Sequence, residues 1–443
     1  MRPKILIAMH YMELGGAEMA LLGLLQSVDP ARAEVDVFIY AHRGELMSYI
    51  KEKGEGKSEK FHLLPEVKEY AMLEEPIALL IKKGYWRLAL ARLWGRWEYT
   101  RYKKQNVEGL DNYSHFTFQQ RHAVKCLPMI NPEVEYDLAI SFLTPHYIVL
   151  DKVRAKKKLG WIHTDYTNVF IHREMELKMW ERLDVISSIS PDVSVKFAEV
   201  FPSLKDKIID IENILSPGFI RQRSLEPCPV FENEPALKLL TIGRYSYQKK
   251  MEDIPYLYRK LVEASQVEGG VEASQVEEIS KEKGKGKSEK SVKWYIIGYG
   301  SPEIEQQVRE EIAKEGMQEH VILLGKQSNP YPFIRTCDVY VQPSRYEGKS
   351  ITVREAQILC KPVIVTHYPT APSQIGPTLS LPRREGTLVG QDGVIVPLER
   401  EACARAMIEV LRDKELLSSL SKYLADHDYG NEAEIEKIYK LCE

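Results

Sequence analysis

Ten short apolar runs, each too short for a buried helix and rich in Ile, Val and Leu, recur along the chain and constrain it to an α/β fold. Five lie in the first half, at "KILIAMH" (4–10), "EVDVFIY" (34–40), "YDLAISF" (136–142), "KKLGWIH" (157–163) and "DVISSIS" (184–190). Helical stretches such as "GGAEMALLGLLQSV" (15–28) separate them. Strands alternating with helices predict a parallel sheet of βαβ units. The pattern stops at "SPGFIRQRSLEPCPVFENEPAL" (216–237), which holds four prolines and no periodicity. It restarts at "KLLTIGR" (238–244), "KWYIIGYG" (293–300), "HVILLG" (320–325), "DVYVQPS" (338–344) and "KPVIVT" (361–366). A chain of 443 residues also exceeds one ordinary core. The expectation is two consecutive Rossmann-like domains, 1–215 and 238–411, joined by a linker over 216–237. Residues 412–443 then form terminal helices, for which a return to the first domain is one open course.

The net charge of −3 gives no global attraction to nucleic acid. The six cysteines are scattered without a C-x-x-C pair, which argues against a zinc site or disulfide framework and fits a reducing cytoplasm. The apolar run near the N-terminus is only Ile5 to Met9, too short for a signal peptide, and no stretch reads as a transmembrane helix. Three stretches read as surface loops. "KEKGEGKSEK" (51–60) and "KEKGKGKSEK" (281–290) are near copies, and "VEASQVE" occurs at 262–268 and 271–277. The third is the Gly/Pro-rich "GPTLSLPRREGTLVG" (376–390).

In open α/β sheets, ligands sit beyond the carboxyl ends of strands, where helix N-termini offer free N–H groups to anions. "RYEGKSITVREAQ" (345–357) follows an expected strand in this way. It places Glu347 at a crevice mouth, Gly348 where the backbone can approach a ligand, and Ser350 as an N-cap. Glu355, over a turn into the helix, is placed to accept hydrogen bonds from a vicinal diol such as a ribose. A capped helix with solvated acids is an equal reading of this stretch alone. In "TIGRYSYQKK" (241–250), Arg244 and Lys249 lie five apart after another strand, with Lys250 adjacent. A guanidinium plus an ammonium suits a diphosphate leaving group as charge builds on it. "HYMELGGAE" (10–18) is a glycine turn at the matching place in the first domain, and the absence of G-x-G-x-x-G disfavours a dehydrogenase. His163 in "GWIHTDY" ends a strand at an expected crevice edge.

The order Gly-Gly-Ala-Glu, Trp-Ile-His, Gly-Arg with Lys five residues on, Gly-x-Gly, Pro-Ser-x-x-Glu-Gly and a second glutamate resembles retaining glycosyltransferase family 4, of bacterial polysaccharide-biosynthesis type. The resemblance implies a GT-B fold, two Rossmann-like domains facing a central cleft, with the acceptor on the N-terminal side and the donor on the C-terminal side. It implies that Arg244 and Lys249 hold the donor diphosphate, and that Lys250 stands where a glycine is common. Glu347 would contact the donor sugar, and Glu355 the ribose. The backbone of Gly348, Lys349, Ser350 and Ile351 would line sugar and phosphate. Gly15 and Gly16 match the N-terminal glycine turn, and His163 matches a histidine near the reacting face of the sugar. The implied mechanism is attack by the acceptor hydroxyl on the side from which the diphosphate leaves, that phosphate taking the proton. No metal and no cofactor is required. The donor is a nucleotide sugar, with uridine favoured on family grounds.

The segment "KKGYWRLALARLWGRWEYTRYKK" (82–104) carries eight Lys/Arg, one acid, three Trp and three Tyr. Such a mixture suits an anionic membrane surface or packing within the first domain. The expected protein is cytoplasmic, with peripheral contact at the inner face of the cell membrane as an open course. It would transfer a hexose to a glycan or lipid-linked precursor in capsule, exopolysaccharide or O-antigen assembly. A non-catalytic GT-B sugar-nucleotide binder and a GT-B epimerase are the rival readings.

Overall fold

The computed structural model describes residues 2–54, 60–105, 111–112, 114–268, 291–376 and 386–443. The chain forms two compact units, one of residues 1–216 with 430–443, the other of 217–429.

The first unit is built on β1 (Lys4–Met9), β2 (Glu34–Ile39), β3 (His62–Leu63), β5 (Tyr136–Ser141), β6 (Ala155–Ile162), β8 (Val185–Ser188) and β9 (Ile208–Asp210). They form one parallel sheet in the order β3-β2-β1-β5-β6-β8-β9. A small parallel pair, β4 (Asp111–Asn112) and β7 (Val169–Phe170), stands apart. The second unit has β10 (Leu237–Ile242), β11 (Val292–Ile297), β12 (Val321–Gly325), β13 (Val339–Gln342), β14 (Val363–Thr366), β15 (Leu388–Val389) and β16 (Val394–Val396). Their order is β12-β11-β10-β13-β14-β16-β15, parallel except for the antiparallel edge pair β15–β16. The expected α/β class with two doubly wound sheets is therefore what the chain adopts.

The strands were legible because helices cover both sheet faces, so the central strands are apolar on both sides. Ile5 to Met9 are all buried, as are Val363 to Val365. In each sheet the chain begins in the middle, runs outward, then crosses back to the other side of the starting strand. The reversal lies between β1 and β5 in the first unit and between β10 and β13 in the second. In open α/β sheets a reversal of this kind is the place where strand-end loops form ligand sites.

Two expectations change, and one that was left open is decided. Residues 216–237 are not bare linker. Helices Pro217–Arg223 and Pro229–Glu232 lie there and bond into the second unit, through Asn329 Nδ2 to the Arg223 carbonyl at 2.8 Å and Arg335 Nε to the Ser224 carbonyl at 2.6 Å. The first "VEASQVE" is the end of helix Ile254–Glu268, and residues 51–54 end helix Met47–Gly54. The second copies, at 271–277 and 281–290, lie outside the described residues. At the C-terminus, helix Lys414–Asp426 stays in the second unit, while helix Ile435–Lys440 belongs to the first, with Lys157 Nζ donating to the Leu441 carbonyl at 2.7 Å.

Candidate functional site

β10 ends at Ile242 and runs through Gly243 and Arg244 into a 3-10 turn, Tyr247–Lys249. β13, its neighbour across the reversal, ends at Gln342 and leads through residues 343–350 to helix Ile351–Ile358. The two motifs singled out in the sequence, about a hundred residues apart, therefore meet. Lys249 Nζ lies 2.6 Å from Glu347 Oε1, with side chains only 15% and 6% exposed. Ser344 Oγ at 2.5 Å and Gln342 Nε2 at 3.2 Å donate to the same oxygen, and Gln248 Nε2 donates to Oε2 at 3.2 Å. Four donors thus fix the carboxylate. Such convergence offsets the cost of withdrawing charge from water.

Backbone contacts hold the loop around it. Thr370 Oγ1 donates to the Glu347 carbonyl at 3.0 Å. The Gln374 amide clasps Ser350, accepting from its N–H at 3.1 Å and donating to its carbonyl at 2.6 Å. Ser350 occupies the N-cap position, but its side chain makes no capping bond; its hydroxyl faces Thr352 Oγ1 at 3.2 Å instead. The expected side-chain cap is therefore not made, and the Gln374 amide instead holds the backbone N–H and carbonyl of Ser350 itself. Gly348, Lys349, Ser350 and Ile351 form the turn at the start of this helix.

Lys250 is set apart from Lys249. It adopts the left-handed conformation (φ 53°, ψ 36°), which explains why glycine suits this position. Its ammonium donates to the Leu398 carbonyl at 2.7 Å and pairs with Asp253 at 2.9 Å. Of the two lysines, only Lys249 reaches the Glu347 loop. Arg244 is exposed in the loop after β10. The turns after β10 and β11 are packed so closely that a Cβ on Gly298 would lie 2.0 Å from the Gly243 carbonyl oxygen.

Glu355 is 2% exposed and accepts a 2.9 Å hydrogen bond from the Tyr331 hydroxyl. Burial pushes its carboxyl up to about 8, against the opposing pull of that hydroxyl. It is therefore not a solvated acid on a capped helix, and an environment that perturbs a carboxyl so strongly marks a functional candidate.

The remaining candidates lie in the first unit. Gly15 is the N-cap of helix Gly16–Ser27, and a Cβ there would displace the Glu18 carboxylate, 2.3 Å away. His163 follows β6, its ring stacked on Trp161 at 5.9 Å and tilted against Phe142 at 4.8 Å. Burial pushes its pKa down to about 4, against a hydrogen bond with the Phe142 backbone, so the ring is neutral near pH 7. Nε2 has no hydrogen-bond partner among the described residues.

A cavity of about 280 Å³ opens at the carboxyl ends of β1 and β2, lined by His10, Tyr11, Tyr40, Arg43, Arg92 and Gln120 among others. His10 Nε2, Tyr40 Oη, Arg43 Nε and Gln120 Oε1 lack partners among the described residues. Sequence reasoning missed this cavity, because helices Trp86–Tyr102 and Ser114–Ala123, which wall it, give no strand-end signal. It also missed Gln248, Gln342, Ser344, Thr370, Gln374 and Tyr331. Gln342 and Ser344 were detectable as polar residues closing an otherwise apolar strand. The described residues contain no group of three or more His, Cys, Asp or Glu able to hold a metal, and no helix long and apolar enough to cross a membrane.

Residues 229–427, within the second unit, match the family model for glycosyl transferases group 1. The chain is 27% identical over 261 residues to an uncharacterized glycosyltransferase of Methanocaldococcus jannaschii, covering 54% of this chain. The match spans 57% of that relative's length, somewhat over half of it. Among solved structures, a mutant TarM of S. aureus, in complex with fondaparinux, alpha-GlcNAc-glycerol and UDP, superimposes with a TM-score of 0.63 at 12% identity, covering 100% of both chains. Anabaena HepE with UDP and glucose gives 0.60 at 12% identity, covering 99% of each. At that identity the likeness shows the fold, which is GT-B.

Proposed function

We propose that this protein is a retaining, metal-independent glycosyltransferase of family 4 type that moves a hexose from a nucleoside-diphosphate sugar to a glycan hydroxyl. The observation that carries the reading is the meeting of Lys249 and Glu347 at adjacent strand ends, beside the exposed Arg244 and the turn that opens helix Ile351–Ile358. The glycosyl transferases group 1 match over this unit supports it. In this reading Lys249 and Arg244 neutralise the donor diphosphate as charge builds on it, and the N-terminal end of helix Ile351–Ile358 adds its dipole. Glu347 is oriented by its four donors towards the transferring sugar, and Glu355 accepts from the ribose diol. The acceptor hydroxyl attacks from the face that the diphosphate leaves, and that phosphate takes the proton.

The TarM and HepE structures, both solved with UDP, favour uridine as the base. The first-unit cavity is the proposed seat of the acceptor sugar, since aromatic faces beside unpartnered polar atoms suit a hydroxylated ring. His163 and the Gly15–Gly16 turn are proposed to face donor and reacting sugar. The acceptor is a membrane-linked or soluble glycan precursor of capsule, exopolysaccharide or O-antigen assembly, handled in the cytoplasm. Release of nucleoside diphosphate measured with and without acceptor tests the assignment. Release only in the presence of acceptor is expected. Binding without release at any acceptor concentration would make the protein a sugar-nucleotide binder, and release without acceptor would favour epimerase-type elimination.

A further inference from the structure

Helix Trp86–Tyr102 has two apolar faces, and only one is covered. The inner face packs on helix Ser114–Ala123. Leu88 and Ala89 are buried, and a Cβ on Gly95 would stand 2.5 Å from the Phe118 carbonyl oxygen. The outer face carries Trp86, Leu90, Leu93, Trp94 and Trp97, which are 58%, 66%, 43%, 55% and 50% exposed. Their spacing confines them to an arc of roughly 100° at 3.6 residues per turn. They make up half of the ten large apolar side chains exposed among the described residues, so this is a patch and not ordinary scatter. The helix therefore lacks a single amphipathic face. Apolar residues lie on opposite sides, and Gly84 (φ 85°) turns the chain before the helix begins.

The charge around the patch is predominantly positive. Arg87 and Arg96 flank it on either side, and Arg101 stacks over Trp97 at 4.8 Å. Exposed lysine pairs precede the helix (Lys82, Lys83) and follow it (Lys103, Lys104). The one acid of the segment, Glu98, accepts from the Trp94 indole at 3.1 Å and is neutralised by Arg121 at 2.7 Å and His122 at 2.9 Å.

We propose that this face docks the protein onto an anionic lipid surface, the indoles and leucines entering the headgroup boundary and the cations meeting phosphates. Tryptophan with flanking arginine and lysine is the composition that such a boundary selects. A second copy fits worse, because a two-fold contact would bring the two cationic rims together. The inward Arg92 of the same helix lines the first-unit cavity, so docking sets that cavity beside the lipid. The proposal is independent of the transfer reaction, since its readouts involve no turnover.

The test uses the full chain with vesicles of phosphatidylcholine alone, or of equal parts phosphatidylcholine and phosphatidylglycerol. Sedimentation with the anionic vesicles only, weakened by added salt, is expected. Tryptophan emission should shift to shorter wavelength on binding. The other three indoles, Trp161, Trp180 and Trp294, are fully buried and report nothing, so the shift reads this helix. The variant Trp86→Ser/Trp94→Ser/Trp97→Ser should lose the shift and bind at least about ten-fold more weakly. Arg87→Gln/Arg96→Gln keeps the indoles and should weaken binding about 25-fold, at about five-fold per cation near the surface. Failure of the wild type to bind anionic vesicles would overturn the proposal. So would wild-type binding by both variants. A wild-type dimer that the serine variant converts to monomer would assign the face to self-association instead.

Discussion

Replacing Glu355 by glutamine should act in opposite directions on stability and on ligand binding, and both effects follow from one buried carboxyl. In the folded chain this group titrates near 8, against an ordinary value of 4.5. Between pH 5.5 and 7.5 the unfolded chain holds it ionised and the folded chain holds it protonated, so folding takes up close to one proton. Stability from this group is therefore greatest at low pH and is lost as pH rises towards 8. The slope is ~1.36 kcal/mol per pH unit, or ~2.7 kcal/mol across that window. Glutamine keeps an acceptor for the Tyr331 hydroxyl and does not titrate. The variant's advantage over wild type in Tm should thus grow by roughly 5–11 °C from pH 5.5 to 7.5, at about 2–4 °C per kcal/mol for a domain of this size, and level off above pH 8. Scanning calorimetry of both proteins across the range measures it. Ligand binding has the other sign, because only the ionised carboxylate is a strong acceptor for a diol. Wild-type affinity for UDP should rise from pH 7 to 9, and Glu355→Gln should fall short at pH 9 by about 1–3 kcal/mol. A Tm difference that is flat or shrinks with pH would refute the burial argument. A UDP affinity equal in both proteins at pH 9 would refute the ribose role.

Three further outcomes are expected. Arg244→Ala and Lys249→Ala should each lower kcat by roughly two to three orders of magnitude, whereas Lys250→Gly should stay within a few-fold of wild type because its ammonium serves the Leu398 carbonyl and Asp253; wild-type turnover in both alanine variants would remove the diphosphate assignment. Glu347→Gln should lower kcat far more than it weakens UDP binding, since UDP lacks the sugar; calorimetry showing the reverse would exchange the roles of the two glutamates. Turnover should survive excess EDTA, and full loss restored by Mg²⁺ would place a metal at the diphosphate.

The sequence by itself determined the two βαβ series and the residues at their strand ends. Fully covered parallel strands are apolar on both faces, and glycine, cation and carboxylate at a strand's carboxyl end have few structural reasons to cluster. It could not decide partners. Lys249 and Lys250 are adjacent cations of the same chemistry, and in the fold the backbone turns left-handed at Lys250, aiming its ammonium at Leu398 and Asp253 while Lys249 meets Glu347. The environment of Glu355 was equally hidden, since burial beneath Tyr331 depends on a segment 24 residues away. The outer stripe of helix Trp86–Tyr102 was masked by apolar residues on its inner face, and only the packing of Gly95 on Phe118 shows which side is covered. Local pattern reports what a residue can do. Which of its neighbours the fold brings within hydrogen-bond reach is decided by contacts distant in sequence, and these belong to the tertiary structure alone.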